Sequence, residues 1–274
     1  MGRTITSLTG YIGKISEVQP AQDELLLYRG HSNKPDFKLL PSVLRDPKFV
    51  EAEHAILREL VASHPAEFAT DTTTLEQLVR VQHYSLPTRL LDATWNPLVA
   101  LYFAAKKHPQ ITGEVVVFRI KKDQVKFFDS DTVSCVANLA HLKAVEKQSI
   151  DFSLTGGDFN AQLQIDRLAQ FIRVEKPHFR TAIVPADLKR VLCVKPKQSN
   201  QRILAQAGAF LLFGLLVPDL DTHPVPGIAI ERIGINPNNK TDLVKELDRM
   251  SINESTMFPE IEKAAVYIRQ KLLI

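Results

Sequence analysis

The chain has 274 residues, 45% hydrophobic and 24% charged, which suits one sizeable globular core, alone or with an appendage. Its 34 basic and 31 acidic side chains leave a net charge of +3, which permits a nucleic-acid partner without indicating one. Two cysteines far apart, Cys135 and Cys193, exclude a disulfide scaffold and read as reduced core thiols of a cytoplasmic protein.

Residues 1–24 form a lead-in without the apolar run of a signal peptide. Leu25, Leu26, Leu27 and Tyr28 read as a short buried strand that delivers Arg29 and Gly30 at its tip. Residues 48–63 carry Ala52, Ala55, Ile56, Leu57 and Leu60 at helical spacing. A second helix starts at Thr73, whose hydroxyl caps the first turn while Glu76 reaches back. A third starts at Asn96 and Pro97, a cap followed by a residue suited to the first helical position. Residues 98–105 are apolar all round, so this helix is expected to be central and buried.

A strand at 114–120 follows, and Phe127 and Phe128 continue the sheet. Residues 132–147 and 162–173 read as helices, and 181–185 and 191–194 as β-rich runs. A helix at 199–207 stops at Gly208 before a strand at 209–216, and 227–235 alternates as another strand. A turn at 236–239 leads to two terminal helices, 241–250 and 259–272. The longest apolar runs are about half of the roughly 20 residues a bilayer span needs, so a soluble protein with no membrane partner is expected. Strands and helices do not strictly alternate, which predicts an α+β single domain with a mixed or antiparallel sheet wrapped by helices. The two C-terminal helices are expected to pack on its core, dividing the chain into 1–24, 25–235 and 236–274.

Three distant segments set polar side chains beside apolar elements. They carry Arg29 and His31; His83, Tyr84, Thr88, Arg89 and Asp92; and Arg202 and Gln206. These nine are expected to line one cleft. Arg29 and Asp92 should lie in contact, either as a structural ion pair or as part of an active site. His31 and His83 read either as hydrogen-bonded core histidines or as acid–base groups. No phosphate loop, Ser elbow or metal-ligand spacing is present in the sequence.

Tyr28-Arg29-Gly30, the segment Leu40-Pro41-Ser42-Val43-Leu44-Arg45 and the block from Gln82-His83-Tyr84 to Thr88-Arg89-Leu90-Leu91-Asp92 resemble the FRG family. Tyr28 takes the place of the Phe in that family's naming motif. The likeness continues through Asn96 to Ala104, Arg202 to Phe210 and Glu254 to Glu260, and runs from about Leu25 to Ile268. It implies an accessory or effector protein of bacteria or their mobile elements, of the toxin or phage-defence kind.

A second resemblance is to the ADP-ribosyltransferases. They place Arg or His at an early strand tip, then a Ser/Thr-bearing strand before a buried helix, then a catalytic Glu opening a late strand. Arg29, Thr88 and Gln206 follow that order. The resemblance implies NAD as substrate, with Arg29 gripping the pyrophosphate and His31, Tyr84, Arg89, Asp92 and Arg202 assisting. Thr88 or Tyr84 would position the nicotinamide ribose, and Gln206 or Glu231 would sit near its hydroxyls. Gln206 departs from the pattern because it carries no charge, so the acid would come from Glu231 or Asp92. The alternatives are a non-catalytic module binding nucleotide, nucleic acid or protein through the same cleft, and an interaction protein in which these residues are structural. In each, the macromolecular target, protein or nucleic acid, is left open.

Overall fold

The computed structural model describes residues 4–198, 200–260, 267 and 269. Seven strands form one sheet: β1 Glu24–His31, β2 Leu90–Thr94, β3 Gly113–Lys121, β4 Val125–Phe127, β5 Val191–Lys195, β6 Gly208–Phe213 and β7 Ile228–Ile235. Their order is β4-β5-β6-β2-β1-β3-β7. The β4–β5 pair is parallel and the other pairs are antiparallel, so the sheet is mixed and the fold is α+β.

The two faces of the sheet are covered differently. Alternation sends Tyr28 and Gly30 to one face and Leu27, Arg29 and His31 to the other. Helices cover the Tyr28 face in two separate cores. One packs Pro47–Ser63, Thr74–His83, Asp131–Asn138 and Leu163–Glu175 on Leu90, Leu212 and Val194. The other packs Leu8–Glu17, Pro97–Ala105 and Lys240–Arg249 on Tyr28, Val115 and Val117. The opposite face is covered by loop residues, among them Leu39, Leu40, Val217 and Leu220.

The capping expectations hold. Thr73 and Glu76 form a reciprocal capping box, and the Asn96 side chain accepts from the Leu98 N–H. The helix Pro97–Ala105 is central, with Leu101 and Ala104 fully buried. Gly30 and Gly113 let it lie directly on the sheet. A Cβ at Gly30 would stand 2.0 Å from the Ala100 carbonyl oxygen, and one at Gly113 2.4 Å from that of Ala104.

Elsewhere local signals were overridden. Arg29 lies inside β1, because β3 pairs with that strand as far as His31. The lead-in contains the helix Leu8–Glu17, capped by Ser7 and anchored by buried Leu8 and Tyr11. The helix expected over 132–147 is broken at Leu139–His141. Just before it, buried Asn138 turns its amide back to the Ser134 carbonyl. Residues 181–185 form no strand; the Ile183 N–H is satisfied by the Asn160 side chain instead of a ladder. The helix before β6 is only Gln201–Ala205, ended by Ala207 in the left-handed region (φ 44°), and β6 stops at Phe213. The helix expected over 259–272 lies mostly outside the described residues. Among those residues, no helix is long and apolar enough to cross a membrane.

Candidate functional site

The nine side chains expected in one cleft fall into separate environments. Arg89 is fully buried and belongs to the core. Its Nε and Nη2 donate to Glu53 at 2.8 and 2.5 Å, its Nη1 donates to the Phe213 carbonyl at 2.9 Å, and Lys147 also donates to Glu53. Burial alone would raise the Glu53 carboxyl, but Arg89 and Lys147 bring it down to about 2. Thr88 is buried beside this network, donating to the Gln82 side chain and accepting from the Leu90 N–H. Tyr84 is exposed, its hydroxyl donating to Glu67. Glu231 lies on edge strand β7, paired with Arg119 at 2.7 Å. Four strand spacings, about 19 Å, separate β7 from β6, so Glu231 does not stand beside Gln206.

The other residues gather where the sheet opens. β1 and β2 share a single ladder pair, Tyr28 with Thr94, whereas β1 pairs with β3 along its whole length. Arg29 bridges the gap, its Nη1 donating to the Asp92 carbonyl at 2.5 Å. Contact between the two residues is therefore present, but through the main chain, because Asp92 shares the Tyr28 face and Arg29 the other. Burial draws the Arg29 guanidinium down to about 10, with Asp92 opposing, and it stays cationic at neutral pH. Its Nε donates to His31 Nε2 at 3.0 Å. A neutral imidazole must then carry its proton on Nδ1, which faces Glu114 at 3.2 Å. Burial lowers the His31 pKa against the pull of Glu114, which favours the neutral ring held between Arg29 and Glu114. Arg232 completes the row by bridging Glu114 and Asp221.

On the helical face, between the two cores, lies a polar groove. Asp92 is exposed there and forms no ion pair or side-chain hydrogen bond among the described residues. Burial and the Arg202 charge push the His83 imidazole down to about 4, against the pull of Asp92 and Glu260. Asn200 Nδ2 lies 3.3 Å from His83 Nδ1. Arg202 stacks over Phe258, 4.7 Å from guanidinium carbon to ring centroid, and lies 3.7 Å from Glu260. Among the described residues its buried Nε has no partner. Gln206 donates to the Met257 carbonyl at 2.9 Å, and its own carbonyl accepts from Thr94 at 2.7 Å. The groove thus offers a free carboxylate, a neutral imidazole, an incompletely used guanidinium and an amide, a set able to hold a polar, anionic ligand. No group of three or more His, Cys, Asp or Glu side chains among the described residues could hold a metal ion. A cavity of about 580 Å³ beside Cys135 and Lys176 contains none of these residues.

Sequence reasoning missed Glu53, Glu114, Lys147 and Arg232. Glu53 was open to detection, since it stands four and seven residues before inward-facing Leu57 and Leu60. Thr94 was also overlooked: it, and not Thr88, ends the strand that enters the buried helix.

Residues 24–112 match the FRG domain family model. That span holds Arg29, His83, Asp92 and Thr94, while Arg202, Gln206 and the 254–260 segment lie beyond it. No curated protein and no solved structure matches the chain. The chain therefore carries an FRG domain, matched from β1 up to the residue before β3.

Proposed function

We propose that this FRG-domain protein is an ADP-ribosyltransferase-like effector that takes NAD at the opening between β1 and β2. The observation that carries this reading is adjacency. The strand bearing Arg29, the strand leading into the buried helix and the strand opened by Gln206 are next neighbours, in the order β6-β2-β1. Arg29 reaches the opening from one side, and Arg202, loosely paired with Glu260, contributes a second cation from the other. Either suits a bidentate phosphate contact.

Within this reading Thr94 takes the role first assigned to Thr88, whose hydroxyl is spent in the core. Gln206 is neutral and serves as a ribose-hydroxyl partner. The negative charge that stabilises an oxocarbenium-like centre comes from Asp92, because Glu231 is remote and Glu260 leans on Arg202. The glycosidic C–N bond breaks, nicotinamide leaves with the bonding pair, and an acceptor on a protein or nucleic-acid target supplies the new bond. The setting would be the bacterial cytoplasm, as a toxin or phage-defence protein. A second reading, a non-catalytic nucleotide-binding module, is favoured by the amide that stands where the transferase pattern has a carboxylate.

NAD at about 100 times its dissociation constant should stabilise the fold by roughly 2.7 kcal/mol. With cell extract as the source of target it should also release nicotinamide. Asp92→Asn should cut release about a hundredfold while keeping the thermal shift, and Glu231→Ala should change neither. A thermal shift without release would select the binding module. Neither shift nor release at millimolar NAD would end the transferase reading.

A further inference from the structure

The geometry points to a nucleotide-binding cleft on the loop-covered face, built around Trp95 and Lys195. It adjoins the NAD site above through Trp95 and Ala207, chain neighbours of Thr94 and Gln206, but does not depend on that reading; Leu25, which also lines it, lies four residues, about 13 Å, along β1 from Arg29. The cleft encloses about 450 Å³, within the range of small-ligand sites.

Its form follows from the strand ends. Ala207 and Gly208 line it with almost no side chain, which leaves the sheet low where β6 begins. Trp95 is fixed beside them by its backbone N–H, which donates to the Ala207 carbonyl at 3.0 Å. Ala207 reaches that position through its left-handed conformation. Leu25, Ile203 and Leu204 supply apolar walls. Ladder pairing sets Lys195 beside Phe127, and its ammonium stands 5.4 Å from the Trp95 ring centroid and 5.7 Å from that of Phe127.

Two groups here are unused. Among the described residues the Lys195 ammonium forms no ion pair or hydrogen bond, and the Trp95 indole N–H has no acceptor. Lys195 is half-buried, and Phe127 beside it is 63% exposed. An apolar ligand would leave Lys195 unneutralised, and a bare phosphate would leave the walls uncovered. A ligand flat and aromatic at one end and anionic at the other uses both. A nucleotide has that form, with its base against Trp95 and its phosphate on Lys195.

Trp95 is the only tryptophan in the chain, so its emission reports on this cleft alone. The full chain is titrated with adenosine monophosphate and, separately, with a thymidine oligonucleotide of roughly ten bases. Saturable quenching by the mononucleotide identifies a free nucleotide as ligand, and quenching by the oligonucleotide alone identifies a strand. In either case Lys195→Ala should weaken binding about tenfold or more, and added salt should weaken it in the native chain. Unchanged emission with both ligands at millimolar concentration, or equal quenching in a folded Lys195→Ala protein, overturns the proposal.

Discussion

Arg89 and Arg202 both interrupt apolar segments, yet they end in opposite situations. Arg89 places its guanidinium against Glu53 and the Phe213 carbonyl, and Lys147 closes the network from the other side. Among the described residues Arg202 has one loose ion pair, with Glu260, an aromatic ring beneath it and an Nε without a partner. The first pattern is architecture, since a buried charge is tolerable only when its donors are satisfied. The second leaves capacity for a ligand. What separates the two arginines is how much of each guanidinium its neighbours satisfy.

That contrast can be broken by experiment. Arg89→Ala leaves buried Glu53 with Lys147 alone and the Phe213 carbonyl without this donor, and should cost roughly 3–5 kcal/mol in chemical denaturation. Arg202→Ala, at a partly exposed pair, should cost about 1 kcal/mol or less while removing most of the NAD-induced thermal shift. Equal destabilisation by the two would abolish the distinction. Gly30→Ala tests the base of the site. Its Cβ would meet the Ala100 carbonyl, so the buried helix must move, at about 1–3 kcal/mol or more on the same denaturation curve.

Acid should separate the two regions. The folded-state pKa of Glu53 is depressed from 4.5 to about 2, so its contribution is full above 4.5 and lost as pH falls towards 2. His83 is held neutral, its pKa lowered from 6.5 to about 4, so the unfolded chain takes up its proton first. Stability therefore falls as pH drops from 6.5 to 4 on account of the groove. His141, also lowered to about 4, adds to that slope. His83→Asn should flatten part of the decline in melting temperature between pH 6.5 and 4 and leave the later drop in place. The smallest effect belongs to Tyr84→Phe. It removes an exposed hydroxyl contact and should shift stability by no more than about 0.5 kcal/mol.

Legibility followed the range of the forces involved. The Thr73 and Asn96 caps and the all-apolar helix after Asn96 were readable because capping and periodicity act within a few residues. Strand limits were harder. Arg29 looked like a strand tip until β3 extended the ladder, and 181–185 looked like a strand until Asn160 took its backbone donor. For the site, the structure brings only some of the expected polar side chains together, and the sequence did not show which. Arg89 and Thr88 sit within six residues of His83, yet a half-turn of backbone sends them into the core.

The sequence by itself determined the α+β class, the FRG resemblance and the short list of polar residues, because composition, periodicity and motif are properties of neighbours along the chain. Only the tertiary structure decided that Glu53 claims Arg89, that Thr94 bonds the Gln206 main chain while Thr88 turns into the core, and that Glu231 stands apart from Gln206. Each of those outcomes depends on strand order and on which face a side chain takes. Pairing between segments as distant as Glu53 and Lys147, or Gln206 and Met257, is set by the packing of whole elements, which no local pattern encodes.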